Sequence, residues 1–340
     1  MARRKQRAKR RQLANGTAQF EKIEYTPTRI ELKLDGRTAP ESWPSVSLCM
    51  IVKNEAKNLA ACLESVGDFA AEVIVVDTGS TDGTVEVAKS LGARVKHFDW
   101  IDDFAAARNE SIRHAQGDWI FWMDADDRIS AENLVRLKNA VASNQADGYF
   151  CSITSRHTGA EAGTRRLPHF RLFRNRAGIQ FERPLHEDAA PSAERLGLTL
   201  ALTNIEIEHT GYAASETALR AKAARNLPII ERALAQSPGD LFWRYHLGVT
   251  AALLGRTAEA VEHCAAVAAN PPATLDREIN LYNAHQTLIV GQMQLKRFDD
   301  ARQSLARAQS EFAHRQHIWI LAAAVHLALN APQAALDALA

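Results

Sequence analysis

Between residues 46 and 142 the chain alternates short apolar runs with stretches of helical spacing, and this alternation limits its fold more than any other feature. The pairs are Val46–Val52 with Ala56–Val66, Val73–Val76 with Asp82–Leu91, Ala93–Phe98 with Asp103–Ala115, and Trp119–Met123 with Ala131–Ala142. Repeated strand–helix units predict an α/β fold with a mostly parallel sheet covered by helices. In such sheets ligands bind beyond the carboxyl ends of the strands, so the strand exits are where chemistry is expected. Every exit is polar here: Lys53–Glu55, Asp77–Asp82, Asp99–Asp103 and Asp124–Asp127.

Past Gly148 the pattern changes to shorter β-rich pieces, Tyr149–Thr154, Arg166–Phe173 and Leu198–Glu208, which extend the sheet and suit an acceptor side. Past Tyr212 the chain reads as helical to its end, rich in Ala and Leu at three- and four-residue spacing. Leu247-Gly248 with Gly255 and Ala260 can be laid on Leu288 with Lys296 and Ala301, and again on the segment that ends in Ala335. The second offset, Ala301 to Ala335, is 34 residues, the period of tetratricopeptide helix pairs; the first is 41, with extra residues around Pro271-Pro272. The expected division is a basic, largely irregular segment over 1–45, the α/β unit over 46–212 and an all-α helical-repeat domain over 213–340.

Charge excludes little and adds one feature. The 41 basic and 40 acidic residues nearly cancel, so no global field draws the protein to nucleic acid or membrane. Seven of the first eleven residues are basic (Arg3, Arg4, Lys5, Arg7, Lys9, Arg10, Arg11), an extended arm able to make weak contacts with anionic membrane lipid or RNA. No apolar h-region follows it, and no run approaches the ~20 apolar residues of a spanning helix. A cytoplasmic protein is expected, with peripheral attachment at the inner membrane face open through the arm. Cys49, Cys62, Cys151 and Cys264 lack CxxC spacing, so neither disulfides nor zinc are expected.

The strongest chemical signal is Trp119-Ile-Phe-Trp-Met123 running into Asp124-Ala-Asp126-Asp127, a buried strand ending in three carboxylates. Two residues apart in extended chain, Asp124 and Asp126 point the same way, and their repulsion is relieved when a cation sits between them. Oxygen ligands of this kind suit Mg²⁺ or Mn²⁺. The plainer role is that Asp126 or Asp127 caps the next helix, but capping needs one Asp. In Val73–Thr84, Gly79 supplies a tight turn and Thr81 or Asp82 a helix cap, whereas Asp77 at the strand tip is left to accept hydrogen bonds from a base or ribose.

Four ordered stretches, Ser47–Glu55, Val75–Thr84, Asp103–Asn109 and Asp118–Asp127, resemble the family 2 glycosyltransferases, whose catalytic unit is the nucleotide-sugar-binding fold called GT-A. Together with Leu185-His186-Glu187, Ile207-Glu-His-Thr-Gly-Tyr212 and the repeats, the wording is similar to a subgroup of bacterial cysteine S-glycosyltransferases and lipopolysaccharide-core glucosyltransferases. The resemblance implies an inverting transferase acting on a protein, peptide or surface-glycan acceptor that the repeats grip. It implies donor binding at Asn54, Glu55, Asp77, Asp103, Arg108, Asn109 and Asp124, a divalent cation at Asp124, Asp126 and His209, and a general base at Glu187 with Asp188 behind it. His186 joins the site on the same ground. From the residues alone, Arg108 could equally pair with Asp102 or Asp103. Relatives often carry Gly between the Phe and the His-Glu pair; Arg183 and Pro184 stand here, so this loop is expected to differ in shape. Two other classes compete. A nucleotidyltransferase usually shows a Gly-rich phosphate loop where this chain has Lys53-Asn54-Glu55-Ala56. An inactive adaptor would have little use for a retained carboxylate cluster, which costs stability.

Overall fold

A computed structural model describes residues 28–157, 163–211, 216–270 and 277–340. The basic arm, Pro271-Pro272 and Tyr212 lie outside these residues. The described residues form a mixed nine-stranded sheet flanked by helices, followed by an all-α region.

The strands are β1 Thr28–Leu32, β2 Val46–Val52, β3 Glu72–Asp77, β4 Arg94–His97, β5 Trp119–Trp122, β6 Asp127–Arg128, β7 Gly148–His157, β8 Gly163–Arg174 and β9 Thr199–His209. Their order is β1-β9-β7-β8-β5-β2-β3-β4, with β6 added to β9. Five of the eight strand pairings are parallel. The β5-β2-β3-β4 half is entirely parallel, so its four carboxyl ends share one edge. β2 and β5 are buried along almost their whole length, because helices cover both faces of this half and leave no polar side for alternation.

Helices α1 Leu59–Val66, α2 Thr84–Ser90, α3 Phe104–Arg113 and α4 Ala131–Ser143 follow β2, β3, β4 and β6. α3 starts where Asp103 accepts from the Ala106 N–H, and α4 where Ser130, rather than Asp126 or Asp127, accepts from Asn133. α4 ends on left-handed Asn144. A short α5, Ala190–Arg195, precedes β9.

The structure adds two strands to the sequence reading. The lead-in, expected to be irregular, contributes β1, which runs parallel to β9 with Thr28 opposite Thr199. A two-residue strand, β6, sets Asp127 opposite His209 and Arg128 opposite Glu208. Neither shows in the sequence, since β1 is half exposed and β6 exists only through its partner.

Helix α6, Glu216–Gln236, opens the all-α region and is followed by α7 Leu241–Leu253, α8 Thr257–Ala269, α9 Tyr282–Gln294, α10 Phe298–Phe312, α11 Gln316–Ala328 and α12 Pro332–Leu339. Three hairpins, α7/α8, α9/α10 and α11/α12, turn through Gly255, Lys296 and Asn330, all at positive φ. The offsets between those turns are 41 and 34 residues. Ala260, Ala301 and Ala335 sit five residues beyond each turn and are buried, small enough for the helices of a pair to approach closely. No described helix is long and apolar enough to cross a membrane. All four cysteines are buried free thiols; burial pushes those of Cys49, Cys151 and Cys264 up to about 12.

Candidate active site

The four parallel carboxyl ends face a crevice of about 480 Å³ whose far wall is α6. Lys53 and Glu55 approach it from the β2 exit, Thr78 from β3, Trp100 and Phe104 from the loop before α3, and Asp124 and Asp126 from β5. Arg108, His169, Arg171, His186, Glu187 and His209 complete the polar lining, with Lys222, Arg225 and Asn226 from α6.

At the floor lies a charge network. Arg108 is 6% exposed; its Nε donates to Glu187 Oε1 at 2.7 Å and its Nη2 to Asp124 Oδ1 at 2.7 Å. Its partners are therefore Asp124 and Glu187, not Asp102 or Asp103. Arg171, 2% exposed, donates to Asp127 Oδ2 at 2.9 Å and lies 3.4 Å from Asp124 Oδ2. Both guanidinium groups also lie over the Trp122 ring, at 4.0 and 3.6 Å from its centroid. Burial alone would raise the Asp124 carboxyl, but Arg108 and Arg171 outweigh it and hold that group well below the usual carboxylate range.

Among the described residues no guanidinium lies against Asp126. Burial, with Asp124, Asp127 and Glu55 nearby and only His209 opposing, pushes its carboxyl up to about 6. His209 Nδ1 lies 2.8 Å from Asp127 Oδ1 and 3.4 Å from Asp126 Oδ1. Burial resists the charged ring, yet the Asp127 hydrogen bond and the surrounding carboxylates prevail and raise its pKa. Gly211 leaves the space above this pair open: a Cβ there would collide with Asp126 Oδ2 and come within 3.3 Å of His209 Nε2.

Asp124, Asp127 and His209 offer ligand atoms all within 4.8 Å of one another, a candidate Asp–Asp–His metal site. The sequence pointed to Asp126 instead of Asp127. The chemistry of the two carboxylates separates them. Asp127 is fully buried, and its oxygens already accept from Arg171, the Asp124 N–H and the His209 ring. Asp126 lines the crevice. A carboxylate that grips Nδ1 of a histidine leaves Nε2 for a metal, which is the usual place of such a group behind a ligand.

The remaining sequence candidates fall into different places. Glu55 lines the crevice and accepts from the Asn58 amide at 2.8 Å. Asp77 is buried at the tip of β3, where its carboxylate accepts from the Gly79 and Ser80 N–H groups, so it has the turn-holding role that the sequence reading denied it. Asn54, at φ +58°, clasps the same turn by accepting from Thr81 N–H on its Oδ1 and donating its own N–H to Ser80 Oγ. Asp103 caps α3, and Asn109 pairs through both amide atoms with the Phe181 backbone, holding the loop before Glu187. Neither reaches the crevice. Asp188 bridges Glu182 through its backbone, and its carboxylate accepts from Ala190 N–H, so it is directed at α5 rather than at the crevice. Burial raises its pKa.

The loop carrying Glu187 is docked on the helical region. Arg183 takes φ +73° and His186 φ +57°, so Arg183 does adopt the conformation that favours Gly. Two ring contacts offset that strain: the Arg183 guanidinium sits 4.0 Å over Phe242, and the His186 ring stacks on His246 with centroids 3.8 Å apart. Leu185 between them joins the apolar core of the helices with Leu227, Ile230 and Phe242. Enclosure by the crevice walls, with Lys222 and Arg183 near, brings the His186 ring down to about 4.

Sequence reasoning missed Arg171, His169 and the α6 side chains. A signal existed for Arg171: an arginine set among Phe170, Leu172 and Phe173, apolar neighbours in one strand run, must find a buried anion if it is buried with them. Nothing local marked Lys222 and Arg225, which look like an ordinary solvated helix face.

Residues 47–197 match the family profile described as glycosyl transferase family 2. A TPR repeat-containing protein of Synechococcus elongatus is 39% identical over 213 residues, 60% of this chain and 51% of that protein. Glycosyltransferase SunS of Bacillus subtilis is 30% identical over 225 residues, 65% of this chain and 52% of that one. The chain thus spans about half the length of the curated relatives it matches. Among solved structures, S. aureus TarS 1–349 in complex with UDP covers 87% of this chain and 89% of its own, at 14% identity and a TM-score of 0.41.

Proposed function

We propose that this chain is a divalent-cation-dependent glycosyltransferase that moves a sugar from a nucleotide-diphosphate donor to a protein, peptide or surface-glycan acceptor. The observation that carries the reading is the pairing of an acidic strand tip, Asp124 to Asp127, with His209 directly beside it on the crevice that Gly211 keeps open. The donor set fits a small hard cation: carboxylate oxygen from Asp124 and Asp126 and the Nε2 of His209, oriented by Asp127. Mn²⁺ or Mg²⁺ bound there supplies Lewis-acid stabilisation for a departing diphosphate. The surrounding carboxylates favour the protonated ring, so a cation held by His209 would compete with a proton there.

The chain's own residues account for the rest. Glu55 and the clasped turn from Asn54 to Thr81 form the nucleoside end, with Asp77 holding that turn in shape. Transfer breaks the bond from the anomeric carbon to the diphosphate and forms one from that carbon to the acceptor atom, entering from the opposite face. The acceptor's proton goes to Glu187, whose Oε1 is fixed by Arg108 while the carboxylate faces the crevice. Arg108 also fixes Asp124, so it ties the base to the strand tip that holds the donor. The hairpins, which keep the tetratricopeptide period in one of their two offsets, suit an acceptor-holding surface.

The test is a screen of nucleotide sugars, scored as free nucleoside diphosphate with Mn²⁺ and with EDTA. Asp126→Ala should abolish the signal. Glu187→Gln should retain nucleotide binding and lower turnover by about 10²–10⁴-fold. If neither UDP nor GDP binds with or without Mn²⁺, the chain is an adaptor and the reading is wrong.

A further inference from the structure

We propose that Phe242 and His246 of α7 are positioning residues for Glu187: they hold the loop that carries the proton acceptor, so sugar transfer depends on α7 although neither residue lines the crevice. The inference deepens the glycosyltransferase reading and rests on Glu187 being its base.

The sheet unit holds this loop mainly at its neck. Glu182 and Asp188 close it, each donating its N–H to the other's carbonyl, at 3.1 and 3.3 Å. Asn109 fixes Phe181 just before them. Between the bridged pair the chain makes an excursion of five residues, Arg183 to Glu187. Among the described residues, one backbone group of that excursion has a hydrogen-bond partner, the Pro184 carbonyl, which accepts from Phe104 N–H at 2.9 Å. Yet Arg183 stands at φ +73° and His186 at φ +57°. Two left-handed residues other than glycine, so close together, persist only where contacts from outside over-determine them.

Helix α7 supplies those contacts. The Arg183 guanidinium lies 4.0 Å from the Phe242 ring centroid, and the His186 ring stacks on His246 with centroids 3.8 Å apart and planes 20° apart. Phe242 and His246 are one helical turn apart and meet edge to face at 4.4 Å, so they form a single platform. Leu185 is buried with Phe242 in the apolar core of the helices. His246 Nε2 has no hydrogen-bond partner among the described residues, so what this side chain offers the loop is a ring face. Glu187, the next residue after His186, turns the other way: its carboxylate accepts from Arg108 Nε at 2.7 Å and lines the crevice. A base works only within hydrogen-bond reach of the proton it takes, and a misplacement of about 1 Å costs about 10²-fold in rate.

The experiment measures release of nucleoside diphosphate from UDP-glucose, UDP-N-acetylglucosamine and GDP-mannose with Mn²⁺, using the full chain as wild type, His246→Ala, His246→Phe, Glu187→Gln and the Glu187→Gln/His246→Ala double variant. His246→Ala should lower kcat by about 10²-fold and leave the donor KM unchanged, because no donor-binding group moves. His246→Phe restores the ring face and should recover most of that loss. In the Glu187→Gln background His246→Ala should cost nothing further, since both changes act through one carboxylate. A loss of the same size in both backgrounds, or a phenylalanine variant as slow as the alanine one, overturns the assignment. Amide hydrogen exchange reads the loop without substrate: residues 182–188 should exchange faster in His246→Ala than in wild type, and unchanged exchange overturns the assignment too. If His246→Ala melts early, Arg183→Ala, at an exposed position on the loop side, is read in its place and should show the same pattern. Full turnover in Glu187→Gln removes the base, and this inference with it, while leaving the transferase reading standing. Wild type that releases nucleoside diphosphate from none of the three sugars overturns both.

Discussion

Arg171→Met tests whether the floor of the site is held by charge pairing rather than by packing. Arg171 is 2% exposed, and its guanidinium serves Asp127 at 2.9 Å, Asp124 at 3.4 Å, the Trp122 carbonyl at 3.3 Å and the Trp122 ring. Methionine fills similar volume without charge. It leaves Asp127, at 0% exposure, with no guanidinium partner. Removing one member of a buried ion pair costs roughly 3–5 kcal/mol, mostly the penalty of the charge left behind. The Trp122 stack adds about 0.5–2 kcal/mol at a desolvated position. Urea unfolding followed by tryptophan fluorescence should therefore show Arg171→Met destabilised by about 3.5–7 kcal/mol. Adding Asp127→Asn removes the stranded charge, so the double variant should recover at least about half of that loss. A single variant that loses less than about 1 kcal/mol, or a double variant no more stable than the single, would refute the charge argument.

Two further changes probe the site from its edges. Gly211→Ala should displace the Asp126 carboxylate without deleting any ligand, because the added methyl occupies its place; Mn²⁺ affinity by calorimetry should fall about 10–100-fold, and an unchanged affinity would remove Asp126 from the ligand set. His246 is 8% exposed, its Nε2 finds no hydrogen-bond partner among the described residues, and burial with His186 and Arg183 nearby holds its pKa well below the ordinary value. Below about pH 6.5 the unfolded chain binds a proton that the folded ring refuses, so stability is full above that pH and is lost on acidification. His246→Gln should flatten the fall of the urea midpoint between about pH 6.5 and 5; an unchanged slope would put the acid sensitivity elsewhere.

The amino-acid sequence by itself determined the parallel half of the sheet and the place of the chemistry. Strand and helix periods are local properties, and Val46–Val52, Val73–Val76 and Trp119–Met123 are too apolar to lie anywhere but in a buried sheet. Since parallel strands share a carboxyl edge, the acidic exits had to converge there. The helical character of the chain beyond the sheet was equally legible, from Ala and Leu at three- and four-residue spacing. Tertiary structure alone decided which carboxylate does what. Asp126 and Asp127 are adjacent and chemically identical; only the β6–β9 bridge, joining residues 82 apart, turns one toward His209 and Arg171 and leaves the other to the crevice. Asp77, Asn54, Asp103, Asn109 and Asp188 carry the right chemistry in the motifs, yet their hydrogen bonds go to backbone groups of turns, caps and loops, because a buried amide must be satisfied before a ligand can be. The α6 wall was invisible for a related reason. A basic helix face looks solvated in sequence, and only the docking of the Glu187 loop on α7 turns that face toward the strand tips.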